Sequence, residues 1–103
     1  MDKDDNIDQF NVLRKVKSKP EYSQRKLASE LGFSLGKMNY CLKALKNKGL
    51  IKMKNFGRNP NKINYIYILT PRGIAAKTKL TINFMKRKME EYDELQAELK
   101  KKN

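Results

Sequence analysis

The stretch SQRKLASELGFSLGKMNYCLKAL, residues 23–45, carries the signals of two short helices joined by a tight turn. Ser23 and Ser34 each precede a helix-forming run, and serine is a favoured N-cap because its hydroxyl accepts a hydrogen bond from an unpaired backbone N–H. Gly32 separates the two runs and can adopt the left-handed conformation in which helices commonly end. We therefore predict a helix-turn-helix whose second helix covers residues 35–48.

The second helix of this pair has two chemically different sides when residues are placed about 100° apart. Its apolar side consists of Leu35, Met38, Cys41, Leu42 and Leu45. The opposite side consists of Gly36, Tyr40, Lys43 and Asn47, with Lys37, Asn39 and Lys46 along its edges. Basic groups, amides and a phenol hydroxyl without a carboxylate are the composition expected of a helix in the major groove of DNA. We expect Asn39, Tyr40 and Lys43 to reach base edges.

The segment before residue 23 predicts a first helix. Apolar residues recur about every turn over residues 7–18, and Asn6 with Gln9 has the spacing of a capping box. Lys19 precedes Pro20, and the residue before a proline avoids helical geometry. The first helix is therefore expected to end at about residue 18.

The segment after the helix-turn-helix predicts a β-hairpin and one more helix. Residues 50–54 alternate in polarity and residues 63–69 are β-branched and aromatic, with a loop rich in Asn, Gly and Pro between them. Thr70 and Pro71 are a favoured N-cap and first helical residue. The predicted fold is mainly α with a small β-hairpin: a winged helix-turn-helix over residues 1–70 and a long C-terminal helix over residues 71–103.

The C-terminal helix carries a heptad-like apolar seam, with alternating spacings of three and four residues. The seam consists of Ile82, Met85, Met89, Tyr92, Gln96 and Leu99, and Leu95 beside it is a further predicted contact. A body of about 80 residues cannot bury this seam alone, so we expect a homodimer through the C-terminal helix. Antiparallel pairing opposes Lys86 and Asp93, whereas parallel pairing brings Lys88 near Asp93. The sequence leaves both orientations open.

Charge is distributed unevenly along the chain. The formal net charge of the 103 residues is +13. Between Glu30 and Glu90 there is no acidic residue in 59 positions, while 14 Lys and Arg fall there. This interval also contains the clearest signals of helices and strands, so its positive charge belongs to a folded surface and not to a tail. Such a surface is expected to bind a polyanion such as nucleic acid.

Composition argues against several other classes of protein. The chain has no histidine and one cysteine, which disfavours an enzyme, a metal site and an internal disulfide. No glycine-rich phosphate loop is present, and we expect no cofactor. No run approaches the roughly 20 apolar residues of a membrane span, and the acidic N-terminus does not resemble a secretory signal. We expect a cytoplasmic protein that does not bind membranes, in which Cys41 is a core residue rather than a redox sensor.

Several segments together resemble the small MarR-type winged-helix regulators associated with bacterial exopolysaccharide gene clusters, over about residues 10–100. The segments that carry the resemblance are residues 23–28, 34–40, 42–45, 48–52 and 67–73. It implies a dimeric DNA-binding transcriptional regulator. Larger MarR proteins usually have an Asp-x-Arg pair in the wing, where this chain has Arg58-Asn59-Pro60-Asn61. They also dimerise through helices at both ends, so the effector cleft is expected to be absent here, and we predict no small-molecule ligand.

Contacts to the DNA backbone and grooves are predicted around the three base-reading residues. They are assigned to Arg25, Lys26, Ser34, Gly36, Lys37, Lys46, Asn47, Lys52, Lys54, Arg58 and Lys62, with Arg58 at the wing tip suited to a minor groove. Two other functions use the same features. One is a non-specific architectural DNA- or RNA-binding protein, and the other is a winged helix that binds an acidic protein partner.

Overall fold

The computed structural model describes residues 3–55 and 65–101 of the chain. Four helices and two strands follow one another in the order α1, α2, α3, β1, β2 and α4. Their bounds are Lys3–Ser18, Gln24–Leu31, Leu35–Asn47, Ile51–Asn55, Tyr65–Leu69 and Pro71–Lys101. The predicted fold class, mainly α with one hairpin and a long last helix, is confirmed.

The helix-turn-helix is held by local chemistry at its caps. The Ser23 hydroxyl accepts a hydrogen bond from the Lys26 backbone N–H at 3.2 Å, and Gly32 ends α2 in the left-handed conformation, with φ 70°. Only a residue without a side chain adopts this conformation freely. The Phe33 N–H then donates to the Ala28 carbonyl at 2.8 Å, which turns the chain into α3.

The first helix begins earlier than predicted. It starts at Lys3 rather than near residue 7, so the capping box assigned to Asn6 and Gln9 is wrong. The residues from Lys3 to Asn6 include no Gly or Pro that would stop the helix from extending back. The Gln9 side chain is buried, and its Oε1 accepts a hydrogen bond from Lys48 Nζ at 2.7 Å. It therefore ties α1 to the end of α3.

The core lies where α1 crosses α2 and α3. Its buried members are Val12, Leu13, Val16, Leu27, Ala28, Met38, Cys41, Leu42, Leu45 and Ile51. Val12 lies outside the apolar side predicted for α1, yet it is buried as well. The reason is that α1 packs against α2, α3, β2 and α4, and therefore on more than one of its sides. Leu35 was predicted to face the core but is 44% exposed. As the first residue of α3, it lies beyond the turn that packs on the other helices. Cys41 is buried, as predicted.

The wing is an antiparallel pair in which Ile51 stands opposite Leu69 and Lys52 opposite Ile68. Side chains alternate between the two faces of a strand. Ile51 is therefore buried against the core, whereas Lys52 and Lys54 are exposed on the other face.

The last helix is anchored at its start and projects at its end. The Thr70 Oγ1 donates to the Gly49 carbonyl at 2.6 Å and accepts from the Gly73 N–H at 3.0 Å, so the predicted cap is confirmed. Phe84 packs on Phe10 with ring centroids 5.8 Å apart. From Met85 to Lys101 every residue is exposed, and the longest dimension is 69 Å. In the described ranges, no helix combines the length and apolarity needed to cross a lipid bilayer.

Candidate nucleic-acid interface

The exposed side of α3 is the centre of the candidate interface. We call the set Gly36, Asn39, Tyr40, Lys43, Lys46 and Asn47 the α3 surface, and every member of it is exposed. Met38 and Leu45 on the opposite side are fully buried, and Tyr40 is 56% exposed. Apart from the exposed Leu35, the predicted division of α3 into a packed side and an open side is confirmed. The three predicted base-reading residues share the open side, which presents amide, phenol and ammonium groups.

The N-terminal end of α3 is capped by Ser34. Its hydroxyl accepts a hydrogen bond from the Lys37 N–H at 3.1 Å. A serine hydroxyl can accept and donate at once, so the O–H remains available to a phosphate oxygen. A helix N-terminus also attracts anions through its aligned backbone dipoles. The predicted contact between Ser34 and a phosphate is therefore compatible with its capping role.

Lys37 is already engaged by another part of the protein. Its Nζ lies 3.0 Å from Oδ2 of Asp8 on α1, and 4.4 Å from the centroid of the Phe33 ring. A phosphate would have to compete with the Asp8 carboxylate for this ammonium group. Asp8 was not among the predicted site residues. It belongs to the acidic N-terminal block, and a contact across 29 positions leaves no periodic signal in the sequence.

Two basic residues of α2 lie beside α3. Arg25 and Lys26 are exposed, as contacts to a DNA backbone require. The Lys26 ammonium lies 5.6 Å from the centroid of the Tyr22 ring. The Tyr22 hydroxyl donates to Glu30 at 3.1 Å, and this hydrogen bond raises the pKa of Tyr22 above its ordinary value.

The wing contributes a second basic strip. Lys52 and Lys54 are exposed on the same face of β1. Tyr67 lies on the other face with Met53, and partial burial raises its pKa. The predicted contacts of Arg58 and Lys62 lie outside the described residues.

Within the part of the chain that the structure describes, His, Cys, Asp and Glu side chains form no group of three or more suited to a metal ion.

Comparison with known proteins identifies this architecture. A family model described as "Winged helix-turn-helix DNA-binding" matches residues 9–52, which contain α2, α3 and the start of β1. The chain folds as a winged helix-turn-helix. No curated protein sequence matches it.

Solved structures of MarR proteins share the winged-helix fold at low sequence identity. Staphylococcus aureus MarR in complex with salicylate and kanamycin has a TM-score of 0.69 and 18% identity over 84% of this chain and 57% of that chain. The S. aureus MepR–DNA complex has a TM-score of 0.66 and 20% identity over 91% and 73%. Streptococcus pneumoniae FabT in complex with DNA has a TM-score of 0.61 and 21% identity over 85% and 59%.

These similarities establish the fold. The winged-helix chain described here spans little more than half the length of the S. aureus MarR and S. pneumoniae FabT chains. Because the S. aureus MarR structure contains salicylate and kanamycin, the likeness gives no support to the predicted absence of a small-molecule ligand.

Proposed function

We propose that this chain is a sequence-specific, double-stranded DNA-binding transcriptional regulator of MarR type that acts as a homodimer in the bacterial cytoplasm. The observation that carries the proposal is the α3 surface: an exposed, acid-free side of the second helix of a helix-turn-helix, with a packed core behind it. Two similar folds, MepR and FabT, were solved in complex with DNA. On the resemblance alone, we propose exopolysaccharide biosynthesis genes as its targets.

In this proposal α3 lies in a major groove and the side chains divide into two classes. Asn39, Tyr40 and Lys43 hydrogen-bond base edges, since amide, hydroxyl and ammonium groups match the donors and acceptors displayed there. Residues at the margins hold phosphates and position the helix. These are Arg25, Lys26, Ser34, Lys37, Lys46, Asn47, Lys52 and Lys54, with Gly36 allowing close backbone approach.

The proposed dimer is supported by the exposed end of α4. Ile82, Met85, Met89, Tyr92, Leu95 and Leu99 are each between 49% and 74% exposed. A contiguous strip of large apolar side chains at heptad spacing is characteristic of a helix that pairs with another helix. A dimer with two-fold symmetry would read two half-sites about one helical turn or more apart.

Selection of bound sequences from a random duplex pool tests the proposal. We expect enrichment of an inverted repeat, and affinity for the selected duplex well above that for random duplex. Binding should weaken with salt with a slope of at least about three charges per dimer. Equal affinity for selected and random duplexes, or preference for RNA, would instead indicate an architectural protein. If alanine substitutions on the α3 surface leave nucleic-acid binding unchanged, the interface itself is assigned wrongly.

A further inference from the structure

The apolar seam of α4 is set apart from the side of the helix that packs on the body. Leu80 and Phe84 face α1 and the core. Ile82 and Met85 lie on a different side, at 49% and 56% exposure. Beyond Phe84 the helix projects past the body, and each of its last 17 residues, 85–101, is exposed within one copy of the described chain. An occupant of the seam therefore has to come from outside that copy.

The seam is symmetric about the point between Glu90 and Glu91. Ile82 lies eight residues before Glu90, and Leu99 lies eight residues after Glu91. Met89 lies one residue before Glu90, and Tyr92 lies one residue after Glu91. Met85 and Gln96 likewise lie five residues before Glu90 and five residues after Glu91. If a two-fold axis passes through this point, each seam residue of one copy faces a seam residue of an antiparallel second copy. An isologous interface requires this self-complementarity.

The charges of α4 follow the same division. Its part up to Met89 contains six basic residues and no acidic one, and its part from Glu90 to Lys101 contains five acidic and two basic residues. Parallel pairing would place each half beside its like-charged copy. Antiparallel pairing places each basic half beside an acidic half. The charges that flank a helical seam commonly set the orientation of the partner.

Particular ion pairs point the same way. Lys86 and Asp93 flank the same edge of the seam, so in an antiparallel pair centred between Glu90 and Glu91 they lie on facing edges, about 3 Å apart along the axis. Parallel pairing would depend on Lys88 reaching Asp93. The Lys88 Nζ already lies 3.5 Å from Glu91 Oε2 within its own helix. The intrahelical pair makes Lys88 less available to a parallel partner.

We propose that α4 pairs antiparallel with α4 of a second copy of this chain, with Ile82 beside Leu99 of the partner subunit and Met89 beside the partner's Tyr92. This proposal rests on the homodimer proposed above and adds its orientation and register. The bodies then lie at opposite ends of the helix pair. At 1.5 Å per residue, the segments that pack on the bodies, 71–84, are centred about 40 Å apart along the pair. That separation is close to the roughly 34–36 Å of one DNA turn.

Cysteine cross-linking tests the orientation without DNA. In a Cys41→Ala background, which removes the native thiol, Ile82→Cys and Leu99→Cys are made separately and mixed. Under mild oxidation we expect a disulfide-linked dimer from the mixture and little from either variant alone, because like positions lie about 25 Å apart in the antiparallel pair. Arg87→Cys, which points away from the seam, serves as the control and should not cross-link with itself.

The outcomes separate this proposal from the function proposed above. Cross-linking of Ile82→Cys with itself as fast as with Leu99→Cys overturns the antiparallel orientation and leaves the dimer standing. A dimer in sedimentation equilibrium that gives no mixed cross-link overturns the register. A monomer at all concentrations overturns the dimer as well. DNA binding is measured separately, so its failure is distinguished from each of these.

Charge reversal gives a second, independent readout. Lys86→Glu should raise the dimer dissociation constant about tenfold, because two opposed pairs become repulsive in each dimer. The double variant Lys86→Glu/Asp93→Lys should restore it, and Arg87→Glu, on the side of α4 turned away from the seam, should change it less than about twofold. Parallel pairing predicts no rescue by the double variant, and that result would overturn the antiparallel arrangement.

Discussion

Asp8 on α1 forms an ion pair with Lys37 in the first turn of α3, at 3.0 Å between Oδ2 and Nζ. This contact brings a carboxylate to the edge of the α3 surface, which has none of its own. The Lys37 side chain is about half exposed and the Asp8 side chain is mostly buried. A DNA phosphate near the N-terminus of α3 would therefore meet a lysine whose charge is already partly neutralised.

Replacing Asp8 with asparagine should tighten DNA binding, because the Asp8 carboxylate would no longer neutralise the Lys37 ammonium or repel a phosphate beside it. The release of one more counterion per subunit should steepen the dependence of log K on log salt by about 0.9 per contact. Fluorescence anisotropy across a salt series measures both effects. Glu21→Gln, at an exposed acid before α2, is the matched control for the change in net charge. If the two variants behave alike, Asp8 does not regulate Lys37.

Ser34 and Ser23 provide a matched pair of caps, since each accepts a hydrogen bond from the N–H three residues on, at 3.1 and 3.2 Å. Ser34→Ala and Ser23→Ala should each lower the free energy of unfolding by about 1 kcal/mol. Only Ser34→Ala should also weaken DNA binding, because only Ser34 is assigned a phosphate. Urea denaturation and anisotropy on the same samples separate the two effects. Equal losses of DNA affinity would show that Ser34 acts through folding alone.

The turns and caps could be predicted from sequence because their causes are local. Ser23, Gly32 and Ser34 fix their own backbone surroundings within three residues, and Thr70 does the same at the start of α4. The packed side of α3 followed from helical periodicity. These features needed no knowledge of what lies across the core.

Contacts between distant elements could not be predicted in this way. The ion pair between Asp8 and Lys37 and the hydrogen bond between Gln9 and Lys48 depend on where α1 crosses α3. Helical periodicity predicts which side of a helix packs against the rest of the protein, but not which other helix or residue that side contacts. Leu35 fits the apolar side by its angle, yet the core ends before its position.

Gly73 and Gly36 should respond to alanine in opposite ways. A Cβ on Gly73 would overlap the backbone carbonyl of Leu50, whereas a Cβ on Gly36 would have no neighbour within 4 Å. Gly73→Ala should lower the free energy of unfolding by about 1–3 kcal/mol, since backbone must move to make room. Gly36→Ala should raise it by up to about 1 kcal/mol through helix propensity. Thermal and urea unfolding measure both values. A Gly73→Ala protein as stable as the wild type would contradict the close contact.

Gly36→Ala also tests the interface, because its predicted gain in stability cannot be mistaken for misfolding. If the backbone of α3 comes close to DNA at Gly36, the added methyl group should weaken binding while the protein becomes more stable. Unchanged DNA affinity would mean that Gly36 lies outside the contact.

The α3 surface and the wing should differ in what their substitutions do to sequence preference. Asn39→Ala and Tyr40→Phe remove groups assigned to base edges, and both side chains are exposed, so the fold should be retained. Each should reduce the difference in binding free energy between the selected and a random duplex by about 1–3 kcal/mol, the discrimination carried by one good base contact. Lys52→Gln should instead weaken both duplexes alike and reduce the salt slope by about 0.9 per lost phosphate contact. Dissociation constants for the two duplexes at several salt concentrations distinguish these patterns. If Asn39→Ala weakened both duplexes equally, Asn39 would be a backbone contact and base reading would have to lie elsewhere on α3.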